Sequence, residues 1–257
     1  MKIAIVCYPT YGGSGVVATE LGISLAERGH EVHFVSYKQP VRLQSLVGNI
    51  HFHEVHVPRY PLFHFQPYEL ALSSILVEMV KLHQIELLHV HYAIPHAYAA
   101  YMAKQMLKEN GIDIPLVTTL HGSDITLVGS HPFYKPAVTF SINNSDVVTA
   151  VSKDLRSDTF SLFDVHKEIH VVPNFINISR YDNIRVNCER STVATANEVI
   201  LTHVSNFRPV KSVLDVIETF AKVRQNMPAK LMMVGDGPDR LTAENRCREL
   251  DIWDDVV

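Results

Sequence analysis

The 257-residue chain has little of what would make it a disulfide scaffold, a membrane protein or a polyanion binder. Its three cysteines, Cys7, Cys188 and Cys247, lie far apart with no C-x-x-C pair, which excludes a disulfide framework and a zinc knuckle. No apolar run reaches the about 18 residues of a membrane helix. Met1-Lys2 and the short strand-like run after it do not read as a signal peptide, so a cytoplasmic protein without a membrane partner is expected. The formal net charge of −4 gives no general attraction to nucleic acid. Histidine is abundant, with 15 residues, and His89 and His91 share one strand face, as do His51 and His53. No H-E-x-x-H or comparable set accompanies them, and a metal site needs three or four converging ligands. The expectation is therefore no metal and no cofactor. The length allows one large domain or two smaller ones, each with a proper core.

What the chain does have is a glycine loop between a strand and a helix. Ile3-Ala4-Ile5-Val6 runs into Cys7-Tyr8-Pro9-Thr10-Tyr11-Gly12-Gly13-Ser14-Gly15, and Val16 to Arg28 then reads as helix. Free N–H groups and the positive end of a helix dipole suit a phosphate or carboxylate there. Gly13, Gly15 and Ala18 satisfy G-x-G-x-x-[G/A], the dinucleotide fingerprint. Two details weaken a nicotinamide or flavin reading: Pro9 to Gly12 separate the glycines from the strand, and the second strand, Glu31 to Tyr37, ends without the acid that would hold a ribose.

Strands and helices alternate through the chain. Further strands are expected at 51–57, 87–92, 116–120, 147–151 and 169–172. Helices are expected at 67–83, 97–108, 133–143 and 153–162. This rhythm predicts an α/β fold, a Rossmann-like doubly wound parallel sheet covered on both faces. The polar, weakly periodic stretch 177–197 reads as a linker after a first domain at 1–176. A second alternation follows: strand 199–204, helix 213–225, strand 231–234, helix 239–250 and the start of a strand at Asp255-Val256-Val257. Two strand–helix units do not complete a doubly wound domain, so 198–257 is expected to be the beginning of a second, truncated Rossmann-like domain.

Ligands of open α/β sheets bind beyond the carboxyl ends of the strands. Here those ends carry Tyr8 to Gly15, His91-Tyr92, Thr119 to Asp124, Val151-Ser152, Pro173-Asn174, Ser205-Asn206 and Gly235-Asp236-Gly237, and this concentration of small and polar residues predicts a functional cleft. His121, ending a strand beside Gly122 and near Asp124, is the histidine best placed to orient a ligand. In Ser205-Asn206-Phe207-Arg208-Pro209-Val210-Lys211 two cations precede a helix, which suits a diphosphate. Gly235-Asp236-Gly237-Pro238 permits a tight turn into the next helix and is read equally as a ligand turn or a plain connection.

Taken in order, Gly12-Gly13-Ser14-Gly15, Thr119 to Asp124, Val172-Pro173-Asn174, Lys211 and Val234-Gly235-Asp236-Gly237-Pro238 resemble the GT-B glycosyltransferases of family 4 over nearly the whole chain. Val90 to His96, Thr118 to Asp124 and Ser205 to Lys211 resemble most the members that move N-acetylglucosamine from UDP-GlcNAc to L-malate at the start of bacillithiol synthesis. The resemblance implies a retaining transfer without an obligatory metal, in which UDP leaves and the malate hydroxyl attacks on the same face of the sugar. Catalysis then rests on stabilising the departing diphosphate and positioning the acceptor. By the same resemblance His121, Lys211 and Arg208 are catalytic. Gly13, Gly15, Ser205, Asn206, Gly235 and Gly237 serve the donor diphosphate, and Ser14, Tyr92, Thr119 and Asn174 the acceptor.

Two departures qualify this. Ser205-Asn206 stands where many relatives have Gly-Arg, with Arg208 as the substitute cation, and no residues provide the E-x7-E element that contacts the donor. The 257-residue chain is therefore expected to turn over little or nothing. Malate is a dianion, and Lys38, Arg42 and Arg59 are the first-domain cations that could meet it, with no choice possible among them. The alternatives are a family 4 transferase with another acceptor, a non-catalytic acceptor-binding fragment, and a nicotinamide oxidoreductase. A homo-oligomer is compatible with the family.

Overall fold

In the computed structural model, which describes residues 1–10, 12–43, 48–178 and 189–257, the chain divides into two compact units, Met1–Ile178 and Ser179–Val257. Residues 179–188 of the expected linker at 177–197, Cys188 included, lie outside the described residues; Arg190–Thr192 form a short turn.

The first unit alternates strand and helix as β1 (Lys2–Val6), α1 (Gly13–Glu27), β2 (Glu31–Ser36), β3 (Ile50–Glu54), α2 (Tyr68–His83), β4 (Leu87–His91), α3 (Tyr98–Glu109), β5 (Leu116–Leu120), α4 (Lys135–Asn143), β6 (Val147–Ala150), α5 (Lys153–Leu162) and β7 (Ile169–Val171). The seven strands are parallel, in the order β3-β2-β1-β4-β5-β6-β7. The order reverses between β1 and β4, so a crevice opens at their carboxyl ends.

The strands read as unbroken apolar runs because both faces are buried. Along β1, Ile3 and Ile5 pack with Ala18 and Ala26 of α1 and Val32 and Phe34 of β2. The alternate residues Ala4 and Val6 pack on the other face with Leu72, Leu76 and Met79 of α2 and Ala100, Ala103 and Leu107 of α3. A third cluster joins Leu120, Val148, Ala150 and Ile169 to Val138 and Ile142 of α4 and Leu155 of α5.

Three local features differ from the sequence reading. Helix α1 begins at Gly13, so Gly13 to Gly15 form its first turn and are not a loop ahead of it. The third strand stops at Glu54 instead of continuing to residue 57. Wide single turns at Ala93–Ala97 and Ser123–Leu127 follow β4 and β5. Ile94 inside the first is extended, with φ −133° and ψ 143°, because the ring of Pro95 disfavours the helical region for the residue before it.

The second unit contains β8 (Val199–Val204), α6 (Val213–Arg224), β9 (Ala229–Val234) and α7 (Arg240–Glu249). Strands β8 and β9 are parallel, and Val256 adds a parallel bridge to Leu231, where the incipient strand was expected. Its core gathers Val213, Ile217, Phe220, Leu231, Ala243, Cys247 and Ile252. Among the described residues, no helix is long and apolar enough to cross a membrane.

Gly22 lets α1 lie close on β2: a Cβ there would stand 2.3 Å from the Phe34 ring. Glycine to alanine inside a helix ordinarily gains about 0.5–1 kcal/mol, whereas overpacking a closed core costs about 1–3 kcal/mol. Gly22→Ala is therefore expected to lower the urea midpoint at an unchanged m-value, and an unchanged or higher midpoint would show that α1 is not seated on Phe34.

Candidate active site

The crevice at the ends of β1, β4 and β5 is held together by hydroxyl groups. Tyr92, the first residue beyond β4, donates from its Oη to Ser14 Oγ at 2.8 Å, and Ser123 Oγ donates to Tyr92 Oη at 3.3 Å. One phenol thus ties the start of α1 to the loop after β5. Tyr92 holds φ at +87°, a conformation that a bulky side chain adopts only when its surroundings impose it. Its backbone is fixed by N–H donation to Thr119 O at 2.9 Å and by acceptance from Ala97 N at 3.1 Å. Tyr8 meets the Tyr92 ring edge-on at 5.1 Å. Beside them lies a cleft of about 610 Å³, lined among others by Tyr8, Glu69, Tyr92, Tyr98, Ser123 and Asp124.

Beneath the crevice runs a histidine network. His91 Nδ1 and His121 Nε2 are 2.7 Å apart, and His89 Nε2 lies 2.8 Å from Thr119 Oγ1. Thr119 Oγ1 in turn lies 2.8 Å from Thr149 Oγ1. The rings of His89, His91 and His121 stack in sequence, with centroids 4.9 and 5.0 Å apart. Burial pushes His89, His96 and His121 down to about 4, and His91 well below its ordinary value. All four are neutral at physiological pH.

Neutrality lets the tautomers be assigned from the hydrogen bonds. His91 Nε2 is buried and has no hydrogen-bond partner among the described residues. A buried lone pair is tolerated more readily than a buried unmet N–H, so His91 carries its proton on Nδ1 and donates it to His121 Nε2. His121 then carries its own proton on Nδ1, leaving an N–H donor as its remaining polar atom. His96 donates from Nδ1 to the carbonyl of His91 at 2.6 Å and fixes the end of β4.

Asp124 organises the adjacent loop. Its carboxylate accepts backbone N–H groups from Ala93 at 3.0 Å, His121 at 3.1 Å and Gly122 at 2.9 Å. Burial nevertheless raises its pKa, against these hydrogen bonds. The residue positions the backbone of His121 and does not bond its ring.

In the second unit the two predicted motifs form one construction. A Cβ on Gly235, whose φ is +145°, would stand 1.8 Å from the Ser205 carbonyl oxygen, and one on Gly237 would stand 2.4 Å from that of Phe207. Phe207 donates its N–H to Asp236 O at 3.0 Å, and Asp239 donates to Phe207 O at 3.0 Å. The glycines let the turn press on the Ser205–Phe207 backbone. Ser205 Oγ and His203 Nε2 lie 2.8 Å apart. Arg208 and Lys211 stand exposed just before α6.

Of the predicted residues, the crevice brings together Ser14, Tyr92, Thr119 and His121, with Gly13 and Gly15 at the same edge. Thr119 is buried, its hydroxyl engaged by His89 and Thr149. Gly13 has nothing within 4 Å of where a Cβ would sit, whereas at Gly15 a Cβ would meet the Tyr8 carbonyl oxygen at 2.5 Å. Asn174 is exposed beyond β7. Arg42 lies 3.3 Å from Glu20. Sequence reasoning set Tyr8, His91 and Ser123 at the strand ends but gave none of them a role of its own; the signal for His91 was its spacing of two from His89 on a buried strand.

Residues 11–180 match the family described as Glycosyltransferase Family 4. The chain is 48% identical over 258 residues to the N-acetyl-alpha-D-glucosaminyl L-malate synthase of Bacillus anthracis, covering 100% of this chain and 67% of that protein. Among solved structures it is similar to Anabaena HepE in complex with UDP-glucose, with a TM-score of 0.75 at 16% identity, over 100% of this chain and 68% of that one. It is also similar to the sucrose-phosphate synthase of Thermosynechococcus elongatus, with a TM-score of 0.73 at 16% identity, over 100% of this chain and 69% of that one. The chain belongs to glycosyltransferase family 4, with the α/β fold of the GT-B type.

The buried histidines make stability depend on pH. In the unfolded chain they titrate near about 6.5, so below that pH the unfolded state takes up protons that the folded state refuses. Stability is present above about pH 6.5 and is lost as pH falls toward about 4. The urea midpoint of the protein should be flat between about pH 7 and 8 and decline between about 6.5 and 4, and His96→Gln should flatten that decline. An identical slope in the variant would refute the contribution of this ring.

Proposed function

We propose that this protein transfers N-acetylglucosamine from UDP-GlcNAc to the hydroxyl of L-malate with retention, the opening step of bacillithiol synthesis. The observation that carries the reading is the 48% identity to a glucosaminyl malate synthase along the whole chain, which includes every motif named above. The HepE structure with UDP-glucose adds a sugar nucleotide bound by a protein of this fold.

In this reading the exposed Lys211 and Arg208 neutralise the departing diphosphate. Ser205, Asn206, Gly235 and Gly237 shape the turn that receives it, and Gly13 and Gly15 offer backbone N–H groups at the start of α1. His121 donates from Nδ1 to the transferred sugar, aligned from below by His91. Ser14 and Tyr92 hold the acceptor, with Thr119 supporting from within the sheet and Asn174 at the end of β7. Stabilising a leaving diphosphate and fixing the attacking hydroxyl are the two contributions such a site makes, neither of which requires a metal. In the same reading the protein works in the cytoplasm on these two small polar substrates, without nucleic acid or membrane, as a homo-oligomer.

One observation favours a second reading, a family 4 transfer to another acceptor: among the described residues, the cleft beside Tyr92 is lined by Glu69 and Asp124 and by no lysine or arginine. A form of the protein as long as the Bacillus anthracis relative, of which this chain spans 67%, incubated with UDP-GlcNAc and L-malate, with products weighed by mass spectrometry, separates the two. Glucosaminyl malate is the expected product. UDP release with another acceptor glycosylated and malate untouched would remove the malate assignment while leaving the family activity. Lys211→Ala should lower kcat by about 10²–10³, and Tyr92→Phe should raise KM for the acceptor more than it lowers kcat.

A further inference from the structure

A second group of titratable side chains lies at the opposite end of the strands from the crevice. Glu31 opens β2, His33 follows two residues later, His51 and His53 occupy β3, and His83 closes α2. Two triads, Glu31/His33/His51 and His33/His53/His83, each bring one potential ligand atom per residue to within 4.8 Å of one another. The pairing of β2 with β3 sets His33 beside His51. The ligands come from two strands that meet only in the folded sheet, so no local spacing announces them.

The triad around Glu31 has the dimensions of a metal centre. Glu31 Oε1 lies 3.1 Å from His33 Nε2 and 3.5 Å from His51 Nε2. Zinc bonds of about 2.0–2.1 Å to nitrogen and oxygen in a tetrahedron put neighbouring ligand atoms about 3.3–3.5 Å apart. The other nitrogen of the buried His33, Nδ1, sits 2.9 Å from His53 Nε2. A metal on His33 Nε2 requires the proton on Nδ1, and His53 Nε2 is there to accept it, as the outer partner of a ligating histidine ordinarily does. Lys2 Nζ approaches the second carboxylate oxygen, Oε2, at 3.7 Å and donates to the His83 carbonyl at 3.0 Å, leaving Oε1 turned to the histidines. His51 and Glu31 keep 42% and 33% of their side-chain surface exposed, which gives an ion a way in.

We propose that Glu31, His33 and His51 form a binding site for one divalent transition-metal ion of the zinc type, with His53 orienting His33 and water completing the shell. The site fastens the edge strand β3 to β2 at the end of the sheet away from the chemistry. Its contribution is to the fold, and it leaves the proposed transfer reaction free of metal.

The probe is cobalt(II) added to the full-length, tag-free, chelator-treated protein, because tetrahedral cobalt absorbs in the visible. One equivalent should give tetrahedral d–d bands that zinc(II) bleaches, and zinc should raise Tm. Glu31→Gln and His51→Gln, both partly exposed and checked for folding by circular dichroism, should lose the bands and the rise in Tm. His83→Gln should keep both. Absence of stoichiometric bands in the parent protein, or bands retained in both ligand variants, would overturn the proposal. Loss in His83→Gln with retention in His51→Gln would overturn the assigned ligand set.

Discussion

A parallel sheet covered on both faces can offer polar groups to a ligand only at its strand ends, and the first unit depends on that constraint. Every strand from β1 to β7 runs the same way, so everything the chain places just after a strand arrives at one edge. The reversal of order between β1 and β4 opens that edge where the α1 N-terminus, Tyr92 and His121 meet. The apolar clusters on either side do not touch the chemistry, yet they fix the height and register of each strand end. The hydroxyl chain from Ser123 through Tyr92 to Ser14 is short enough to tolerate little error in that register.

The histidines of this unit serve two different ends of the same sheet. At the carboxyl ends burial strips His89, His91, His96 and His121 of charge, which converts a potentially cationic cluster into a chain of directed, neutral hydrogen bonds. The orphaned Nε2 of His91 then decides the tautomer of His121. At the amino ends the same ring type gathers around one carboxylate, Glu31, whose Oε1 lies 3.1 Å from His33 Nε2 and 3.5 Å from His51 Nε2. What separates the two groups is the carboxylate: only the second includes an anionic ligand able to offset the charge of an ion.

In the second unit the glycines have a structural reason that is independent of any ligand. Gly235 and Gly237 press against the backbone of Ser205 and Phe207, and the buried Phe207 ring anchors that contact in the core with Val213 and Leu231. The approach fixes the segment that ends in Arg208 and Lys211. A rigid platform under two exposed cations suits recognition of a diphosphate better than a mobile loop would, because less side-chain and backbone entropy is lost on binding.

The sequence by itself determined the element order and the class of protein. Short apolar runs such as Ile3 to Val6, separated by helix-period segments, admit little besides a parallel α/β sheet, and the ordered motifs from Gly12 to Pro238 carried the family. Strand-end position also set Tyr92 and His121 at the edge where the structure brings them together, because in such a sheet ligands bind beyond the carboxyl ends of the strands. Tertiary structure alone decided the rest. The positive φ of Tyr92 goes with contacts between loops that are distant in sequence, its hydroxyl meeting Ser14 and Ser123 and its N–H meeting Thr119 O. The pairing of His33 with His51 depends on the register of β2 against β3, which is set by packing across the sheet. Periodicity reports which face a residue occupies; only the closed sheet reports which residue it faces.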